Sequence, residues 1–451
     1  MISKTIKLRK GLDIPIQGVA IDEIHDVRDK VADVAVCPPD FRGFIPRVVV
    51  AAGDSVKVGS PLFTDKRNSS QVICSPVSGK VKSVNRGERR KLESVVIVND
   101  GEYSSLDFGI TDLDKADAAK VVELINAAGI TPYISQRPYD IVPDTSTMPR
   151  DIFISMFSLM PLASDVSVAL RGREEDFVQG VKALAKVAKV YIGISEQQSE
   201  PVPEGLANVE VNRFIGRNPA GNVGVQINNT KPVNKGEVVW TLNPWAVAVL
   251  GGIVKSGKPD YTRVMAIAGS EVKAPAYYKT VPGADLTHIL PDLLTTDEHI
   301  RIINGNPLVG KVTSLDGYIS STAYEISVIP EGDNVDEILG WIRVRPKEFS
   351  TSHSYFSWLH RGRKYDIDAR IKGGERHMIM SGEYDKVFPM DIYAGYLIKA
   401  IIAKNIDRME ELGIYEVAPE DFAVAEFIDS SKLELQKIVR EGLDYLRKEL
   451  A

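Results

Sequence analysis

An aromatic stretch rich in cations, residues 348–371, holds the side chains that first suggest chemistry. Its sequence, EFSTSHSYFSWLHRGRKYDIDARI, contains His353, Phe356, Trp358 and His360. Histidine binds metals, but no acidic or cysteine partner stands at ligand spacing and HExxH is absent, so we expect no metal site. Aromatic residues mixed with arginine are typical of interface centres, and this composition favours partner contact and ordinary packing equally.

The chain has only two cysteines, Cys37 and Cys74, and they form no CxxC pattern. An all-cysteine iron–sulfur cluster needs about four thiolates, so two cysteines exclude one. A structural disulfide is not expected in a reducing compartment. We expect both residues to be ordinary buried or half-buried thiols. No GxSxG elbow or Ser-His-Asp pattern indicates a hydrolase either.

A carrier-like module surrounds VVVAAGDSVKVGSPLFTDKRNSSQVICSPVSGKV, residues 48–81. Gly53-Asp54 stands between alternating valines, a pattern that predicts a tight hairpin. A similar pattern follows, in which Gly87-Glu88 precedes the strand-like LESVVIV. This half-repeat predicts a barrel-sandwich fold of two interlocked halves, as in biotinyl and lipoyl domains.

The attachment point of such carriers is a lysine at the tip of an exposed hairpin. By the spacing from Pro76, the tip falls at Asn68, whereas Lys66 lies two residues away and has no methionine beside it. We therefore expect a solvated hairpin tip and no swinging arm.

The middle of the chain alternates helical and strand-like patterns. Apolar residues recur at helical spacing from Asp112 to Gly129, and a second helix includes Phe177. Strands are predicted over 151–157, 189–195 and 208–214. The alternation predicts a parallel sheet of the Rossmann-like type.

The turn after the first of these strands is where such a fold binds a nucleotide. Here it reads SLMPLASD, residues 158–165, without the glycines that let a pyrophosphate approach the backbone. The glycine-rich IGRNPAGNVGVQI, residues 215–227, matches neither GxGxxG nor a Walker loop. We expect it to be a structural loop that opens no helix, with an anion site as the second interpretation.

The last two regions are predicted from turn and helix signals. Residues 262–290 read strand, turn, strand and then a helix capped by Asp285 or Thr287, a ubiquitin-like β-grasp pattern. Residues 386–450 read as helices, the last of them capped by Ser430 or Ser431. Its apolar stripe is predicted to contain Leu435, Ile438, Gly442 and Tyr445.

Composition places the chain among globular proteins of several domains. Of 451 residues, 44% are hydrophobic and 26% charged, and the net charge of -6 gives no sign of a nucleic-acid partner. We divide the chain at 1–105, 106–257, 258–335 and 336–451. The longest apolar run, residues 240–254, is too short and too interrupted to span a membrane. No signal-peptide core follows the basic N-terminus, so we expect a cytoplasmic location.

Longer motifs resemble a known family from end to end. They include KLRKGLDIPIQG, GDSVKVGSPLFTDKRN, SPVSGKVKSVNRGERRKLESVVI, RPYDIVPDTSTMPRDIFISMF, NPAGNVGVQI, VNKGEVVWTLNPWAVAVLGGIVKSGK and SGEYDKVFPMDI. In these the chain is similar to the NqrA family of the Na+-translocating NADH:quinone reductases, which is related to the RnfC protein of the Rnf complex and to the flavoprotein of complex I.

The resemblance implies four regions: a barrel-sandwich (biotinyl/lipoyl-like) domain, a Rossmann-like domain, a β-grasp (SLBB-like) domain and a helical domain. It also implies a peripheral protein on the cytoplasmic face of the inner membrane, held by integral membrane partners. FMN, riboflavin and iron–sulfur centres would then lie in those partners and none in this chain. Where redox relatives hold cluster ligands, this chain reads AEFIDSSKLEL, residues 425–435, and Asp429 and Ser430 cannot replace thiolates.

The same resemblance implies a role at the quinone end of the complex. A quinone pocket needs an apolar slot with one or two donors, and no short motif specifies one. The candidates for quinone or partner contact are His353, Phe356, Trp358 and His360. The alternative is a purely structural docking protein of the same complex or of an Rnf-like complex, with no ligand site.

Overall fold

The protein is described by a computed structural model that covers residues 2–333, 348–352, 356–360 and 362–450. Its α-helices are α1 (Ala118–Ala127), α2 (Val166–Ala169), α3 (Glu174–Val187), α4 (Val223–Thr230), α5 (Pro244–Ser256), α6 (Ala394–Ile402), α7 (Ile406–Glu411), α8 (Ala423–Ile428) and α9 (Leu435–Leu450). The helices thus concentrate in the middle and at the end of the chain.

The strands occupy the first three quarters of the chain. They are β1 (Lys4–Lys7), β2 (Ile24–Asp26), β3 (Asp33–Val36), β4 (Pro46–Val48), β5 (Ser55–Val56), β6 (Pro61–Asp65), β7 (Val72–Cys74), β8 (Gly79–Arg86), β9 (Leu92–Asn99), β10 (Ile134–Arg137), β11 (Asp151–Ser155), β12 (Lys189–Ser195), β13 (Val209–Ile215), β14 (Val239–Leu242), β15 (Arg263–Ala268), β16 (Ala276–Thr280), β17 (Ile300–Asn304), β18 (Lys311–Thr313) and β19 (Glu325–Pro330).

The barrel-sandwich region consists of two small sheets, β3–β9–β8–β5 and β4–β6–β7. Successive side chains of a strand point to opposite faces, so alternate apolar residues meet between the sheets. Val34, Val95 and Ile97 are fully buried there. The predicted barrel-sandwich fold is confirmed, and LESVVIV forms β9 as expected.

The turn at Gly53-Asp54 is present but closes no hairpin. The Asp54 N–H donates to the carbonyl of Ala51 at 3.2 Å, whereas β4 before the turn pairs with β6 and β5 after it pairs with β8. The predicted tight hairpin is therefore wrong. The turn carries the chain from one sheet to the other, because the strands on its two sides belong to different pairings.

The Rossmann-like region is built on a six-stranded sheet of order β1–β13–β12–β11–β14–β10. All neighbours run parallel except β10, which is antiparallel to β14, so the predicted parallel sheet is confirmed. The apolar run 240–254 forms β14 and α5, whose side chains from Ala246 to Leu250 are fully buried. Helix α5 packs against α3, and α4 packs against β11.

The first 26 residues contribute strands to two other regions. β1 pairs in parallel with β13 of the Rossmann-like sheet, and β2 pairs in parallel with β16. The N-terminal segment therefore joins three regions. The predicted division of the chain at 105, 257 and 335 stays a prediction.

The β-grasp region contains the mixed sheet β18–β17–β19–β15–β16–β2. The helix predicted after the turn at 282–283 is absent, and the structure has only a 3-10 turn at Pro291–Leu293. Asp285 caps no helix because its carboxylate accepts the N–H groups of Ala32 and Asp33, each at 3.1 Å. The side chain expected to start a helix instead fastens this region to the barrel-sandwich region.

A fully buried arginine joins the β-grasp and Rossmann-like regions. The guanidinium of Arg263 lies 4.0 Å from the ring centroid of Trp245 on α5 and 4.4 Å from that of Tyr324. It donates hydrogen bonds to the carbonyls of Ser321 and Ala323, at 3.0 and 2.5 Å. Cation–π contact is strongest when both partners are removed from water, as here.

The C-terminal region packs α6 to α9 around a core of its own. Helix α9 begins at Leu435, so neither Ser430 nor Ser431 is its cap. The helix buries Leu435, Val439, Gly442, Leu443 and Leu446. The predicted stripe is therefore correct at Leu435 and Gly442. Ile438 is half-buried and packs against the same core, whereas Tyr445 is half-buried and is wrongly included.

Candidate functional site

Two of the residues predicted for quinone contact, Phe356 and Trp358, belong to a short 3-10 helix, and His360 follows it. His353 lies outside the described residues, and Phe356 begins the 3-10 helix Phe356–Leu359. The side chain of Trp358 is 51% exposed, and His360, also exposed, donates its N–H to the carbonyl of Ser357 at 3.1 Å. Their contact with quinone or a partner stays a prediction.

Two other aromatic residues of this stretch pack inside the protein. Tyr365 is buried, and its ring lies 5.7 Å from that of Phe349, which in turn lies 6.3 Å from Phe427 of α8. Phe349 packs against an apolar cluster that contains Ile14 and Ile16, and the backbone of Tyr365 pairs with that of Ile16. For Phe349 and Tyr365 the aromatic composition reflects ordinary packing.

A small, open cleft of about 50 Å³ lies in the C-terminal region between residues 378–385 and the start of α6. Its lining residues, which we call the Met-Tyr cleft, are Met378, Ile379, Met380, Ser381, Gly382, Glu383, Tyr384, Asp385, Tyr393, Gly395 and Tyr396. The walls are mainly apolar, and the hydroxyl groups of serine and tyrosine provide hydrogen-bonding groups. An apolar concave surface with a few polar groups is the composition that small-molecule sites share.

The second wall of the Met-Tyr cleft comes from the outer face of α6. Leu397 and Ile398 point into the core, whereas Tyr393 and Tyr396 are 70% and 59% exposed. The two tyrosine rings meet edge to face with centroids 6.2 Å apart. Residues three apart share a helix face, so the two tyrosines form one exposed aromatic surface.

The first wall of the cleft, residues 378–385, is held in place by residues 429–433. These belong to the segment 425–435, where the resemblance places the cluster ligands of redox relatives. The hydroxyl of buried Tyr384 donates to Asp429 Oδ1 at 2.9 Å, and burial raises the pKa of this tyrosine above its ordinary value. Asp429 Oδ2 accepts the N–H of Leu433 at 2.8 Å. Ser431 Oγ donates to the carbonyl of His377 at 3.2 Å. Asp429 and Ser431 thus act as internal anchors of the cleft.

The turn at residues 158–165 packs against the β-grasp region. Ser164 Oγ donates to the carbonyl of Tyr324 at 2.5 Å, and the Ser164 N–H donates to Glu325 Oε2 at 3.2 Å. The N–H of Asp165 donates to the hydroxyl of Tyr277 at 2.8 Å. The N–H groups of Ser164 and Asp165, which could meet a phosphate in a nucleotide-binding fold, thus bond to the protein itself.

The glycine-rich segment 215–227 differs from the prediction because it opens helix α4. Its anion-binding end faces Asp421, since a methyl group at Gly224 would overlap the Asp421 carboxylate. The Asn222 amide donates to the carbonyl of Glu420 at 3.1 Å. A carboxylate near a helix N-terminus is favoured by the helix dipole, so the chain provides its own anion here.

A buried charge network surrounds that carboxylate. Arg137 is fully buried and contacts Asp140 at 2.7 Å and Glu420 at 3.1 Å, and Arg440 of α9 also bonds to Asp140. Burial raises the pKa of Asp421, which is 1% exposed, to about 6, although the nearby guanidinium of Arg137 opposes this rise. The network connects the Rossmann-like region with the C-terminal region.

The hairpin tip of the carrier-like module is anchored and not fully solvated. Asn68 is half-buried, and its amide donates to Thr145 Oγ1 at 3.4 Å. Gln71, fully buried, donates to the same hydroxyl at 3.0 Å and to the carbonyl of Pro143 at 3.1 Å. The tip therefore docks on the Rossmann-like region, while Lys66 remains exposed.

The two cysteines have the predicted environments. Cys37 is half-buried and Cys74 is buried, and burial raises the pKa of each thiol to about 12. Within residues 2–333 and the described parts of the remainder, no three His, Cys, Asp or Glu side chains are grouped to hold a metal ion. Both thiols are protonated at neutral pH and poorly nucleophilic.

Comparison with known proteins identifies the family of the chain. Residues 6–100 match the NqrA N-terminal barrel-sandwich hybrid domain, residues 116–259 the NqrA second alpha/beta domain, and residues 264–314 the NQRA C-terminal domain. The NqrA protein of the Na(+)-translocating NADH-quinone reductase from Rhodopirellula baltica is 32% identical over 449 residues, or 98% of each chain. That of Saccharophagus degradans is 34% identical over 98% of this chain and 100% of its own.

The chain belongs to the NqrA family of Na+-translocating NADH-quinone reductases. The resemblance seen in the sequence is thereby confirmed. Among solved structures, an NAD+-reducing [NiFe]-hydrogenase in its H2-reduced state has a TM-score of 0.33 and 11% identity, covering 48% of this chain and 50% of that chain. This structural likeness is too low to support an argument.

This NqrA-family chain has no helix, among its described residues, with the length and apolar character needed to cross a membrane. Sequence reasoning about it missed the Met-Tyr cleft, because the helices after 386 were interpreted as core. The available signal was the pair of tyrosines three residues apart, Tyr393 and Tyr396, both of which are exposed in the structure.

Proposed function

We propose that this chain is a peripheral component, on the cytoplasmic side, of a Na+-translocating NADH:quinone oxidoreductase, and that it binds quinone in the Met-Tyr cleft. Family membership supports the assignment to the complex. The composition of the cleft is the observation that supports quinone binding there. Met378, Ile379 and Met380 offer apolar contacts to a ring and its tail, and two tyrosine hydroxyls can bond to ring oxygens.

In this proposal the chain contributes no electron carrier of its own. Electrons reach the quinone through FMN, riboflavin and iron–sulfur centres of partner proteins, some of them integral to the membrane. Three contacts support this part. Asp429 and Ser431 are engaged with the cleft wall, the turn at 158–165 bonds to the β-grasp region, and Asp421 lies at the end of α4.

The second candidate function is purely structural docking within the same or an Rnf-like complex. One observation favours it, which is that α6 also exposes an apolar side chain outside the cleft, Ile402, which is 54% exposed. Exposed apolar patches frequently mark contacts with other proteins or membranes.

A steric block in the Met-Tyr cleft separates the two functions. A side chain at Gly395 would grow towards Met380, since a methyl group there lies 3.4 Å from the Met380 methyl carbon. Gly395→Leu should fill the cleft, and it replaces glycine by a better helix former in α6. We expect the wild type to bind a short-chain ubiquinone analogue with near one site per chain, measured by titration calorimetry, and G395L to lose affinity at least about tenfold.

Trp358→Ala is the matched control, because it tests the exposed turn predicted from the sequence. Unchanged affinity in W358A together with loss in G395L supports the cleft. Loss only in W358A would move the site to the turn, and absence of saturable binding in the wild type would favour the docking function. Stoichiometric iron or flavin in the purified chain would contradict the absence of an electron carrier.

A further inference from the structure

The Met-Tyr cleft contains one buried carboxylate oxygen that no described residue satisfies. Glu383 lines the cleft, and its Oε2 atom is buried without a hydrogen-bond partner among the described residues. By contrast, the neighbouring hydroxyl of Tyr384 has a partner, because it donates to Asp429. A buried acceptor without a donor costs free energy that an arriving donor would recover.

The backbone at Glu383 is held in place, so the side chain starts from a defined position. Its N–H donates to Ser381 Oγ at 3.4 Å, and its carbonyl accepts the N–H of Lys386 at 3.1 Å in the 3-10 turn Tyr384–Lys386. Two hydrogen bonds therefore fix the backbone that carries the Glu383 side chain at the cleft.

The chemistry of the missing donor distinguishes the two redox forms of the ligand. An ionised carboxylate only accepts hydrogen bonds, and so do the carbonyl oxygens of a quinone, whereas the hydroxyl groups of a quinol donate. We propose that Glu383 makes the Met-Tyr cleft selective for the quinol, because its carboxylate accepts a hydrogen bond from one quinol hydroxyl. This inference rests on the proposed function and assigns a specificity-determining residue to it.

The other polar groups of the cleft do not provide this discrimination. The hydroxyls of Tyr393, Tyr396 and Ser381 both donate and accept, so they can bond to either redox form. Asp385 is also a carboxylate, but it is exposed and remains hydrated. Glu383 is therefore the residue that makes the cleft selective for the quinol over the quinone.

A preference for the reduced form has a thermodynamic consequence. Hydrogen bonds to charged groups support a preference of about tenfold or more. A tenfold preference raises the reduction potential of the bound two-electron couple by about 30 mV. The bound quinone is then a better electron acceptor than the free quinone.

The test compares decyl-ubiquinone with decyl-ubiquinol in anaerobic titrations of the purified full chain at pH 8. We expect the wild type to bind the quinol at least about tenfold more tightly than the quinone. In Glu383→Gln the ratio should fall to near one, because the amide both donates and accepts. Asp385→Asn is the matched control, from the same cleft, and should keep the wild-type ratio.

The outcomes separate this inference from the proposed function. Equal affinity of the wild type for the two forms, or an unchanged ratio in E383Q, overturns the role of Glu383 and leaves quinone binding intact. Binding of neither form overturns the proposed quinone site and this inference with it. Should E383Q not fold, Glu383→Asp keeps the charge but withdraws the oxygen by one methylene group, and it must also reduce the ratio.

Discussion

We expect alanine substitutions at two adjacent glycines of helix α5 to change the stability of the fold in opposite directions. Helix α5 lies so close to α3 that a methyl group at Gly251 would overlap the carbonyl oxygen of Asp176 and the nitrogen of Gly180, both backbone atoms of α3. At Gly252 the nearest atoms are the side-chain ends of Asp176 and Arg173, at 3.4 and 3.6 Å. The first methyl group has no space, and the second is accommodated.

The magnitudes follow from two opposing effects. Alanine is favoured over glycine in a helix by about 1 kcal/mol. Gly252→Ala should therefore stabilise the fold by roughly 0.5–1 kcal/mol, since flexible side chains can move aside. Overpacking costs about 1–3 kcal/mol, and the obstacle at Gly251 is backbone that cannot rotate away. We therefore take the upper end, so Gly251→Ala should destabilise the fold by a net value of about 2 kcal/mol.

Thermal unfolding of the full chain, followed by circular dichroism at one pH and protein concentration, tests this pair. For domains of this size about 1 kcal/mol shifts Tm by roughly 2–4 °C. We expect G251A to lower Tm by about 4–8 °C and G252A to raise it by about 1–4 °C. Shifts of the same sign in both variants would refute the close approach of α3 and α5 described above.

Two further predictions concern the buried polar groups between regions. Burial raises the folded-state pKa of Asp421 to about 6, so its contribution to stability is largest below about pH 4 and is lost as the pH rises through 6. Asp421→Asn should therefore gain stability relative to wild type as the pH rises from about 4.5 to 8, and a pH-independent difference in urea unfolding would contradict this. Gln71→Ala should destabilise by about 1–3 kcal/mol, because it removes a buried side chain and leaves the carbonyl of Pro143 without its donor, whereas Asn85→Ala, on an exposed pair, should cost under about 0.5 kcal/mol by the same unfolding assay.

The strands of the Rossmann-like sheet could be predicted because their signal is local. A short apolar run between helical patterns specifies a buried parallel strand wherever it is placed, and the strands predicted at 151–157, 189–195 and 208–214 formed within two residues of those limits. Helix starts were less predictable. Asp285 and Ser431 are good capping residues by type, yet their side chains bond to distant partners at 32–33 and 377.

In the candidate site, too, the sequence predicted what depends on local composition and missed what depends on contacts between distant segments. Trp358 and His360 attracted attention through composition, but composition does not say whether two segments lie side by side. The Met-Tyr cleft joins residues 378–385 to α6, and its first wall is held by Asp429 from a third segment. No local pattern contains that arrangement.

The sequence by itself determined the family, the order of the regions and most of their strands and helices, since periodicity and long motifs are properties of the chain. Tertiary structure alone decided which polar groups are satisfied. Asp421 meets α4, Gln71 meets Thr145, and Glu383 Oε2 meets no described donor. The physical reason is that a hydrogen bond depends on distances of about 3 Å between groups that can be hundreds of residues apart in sequence.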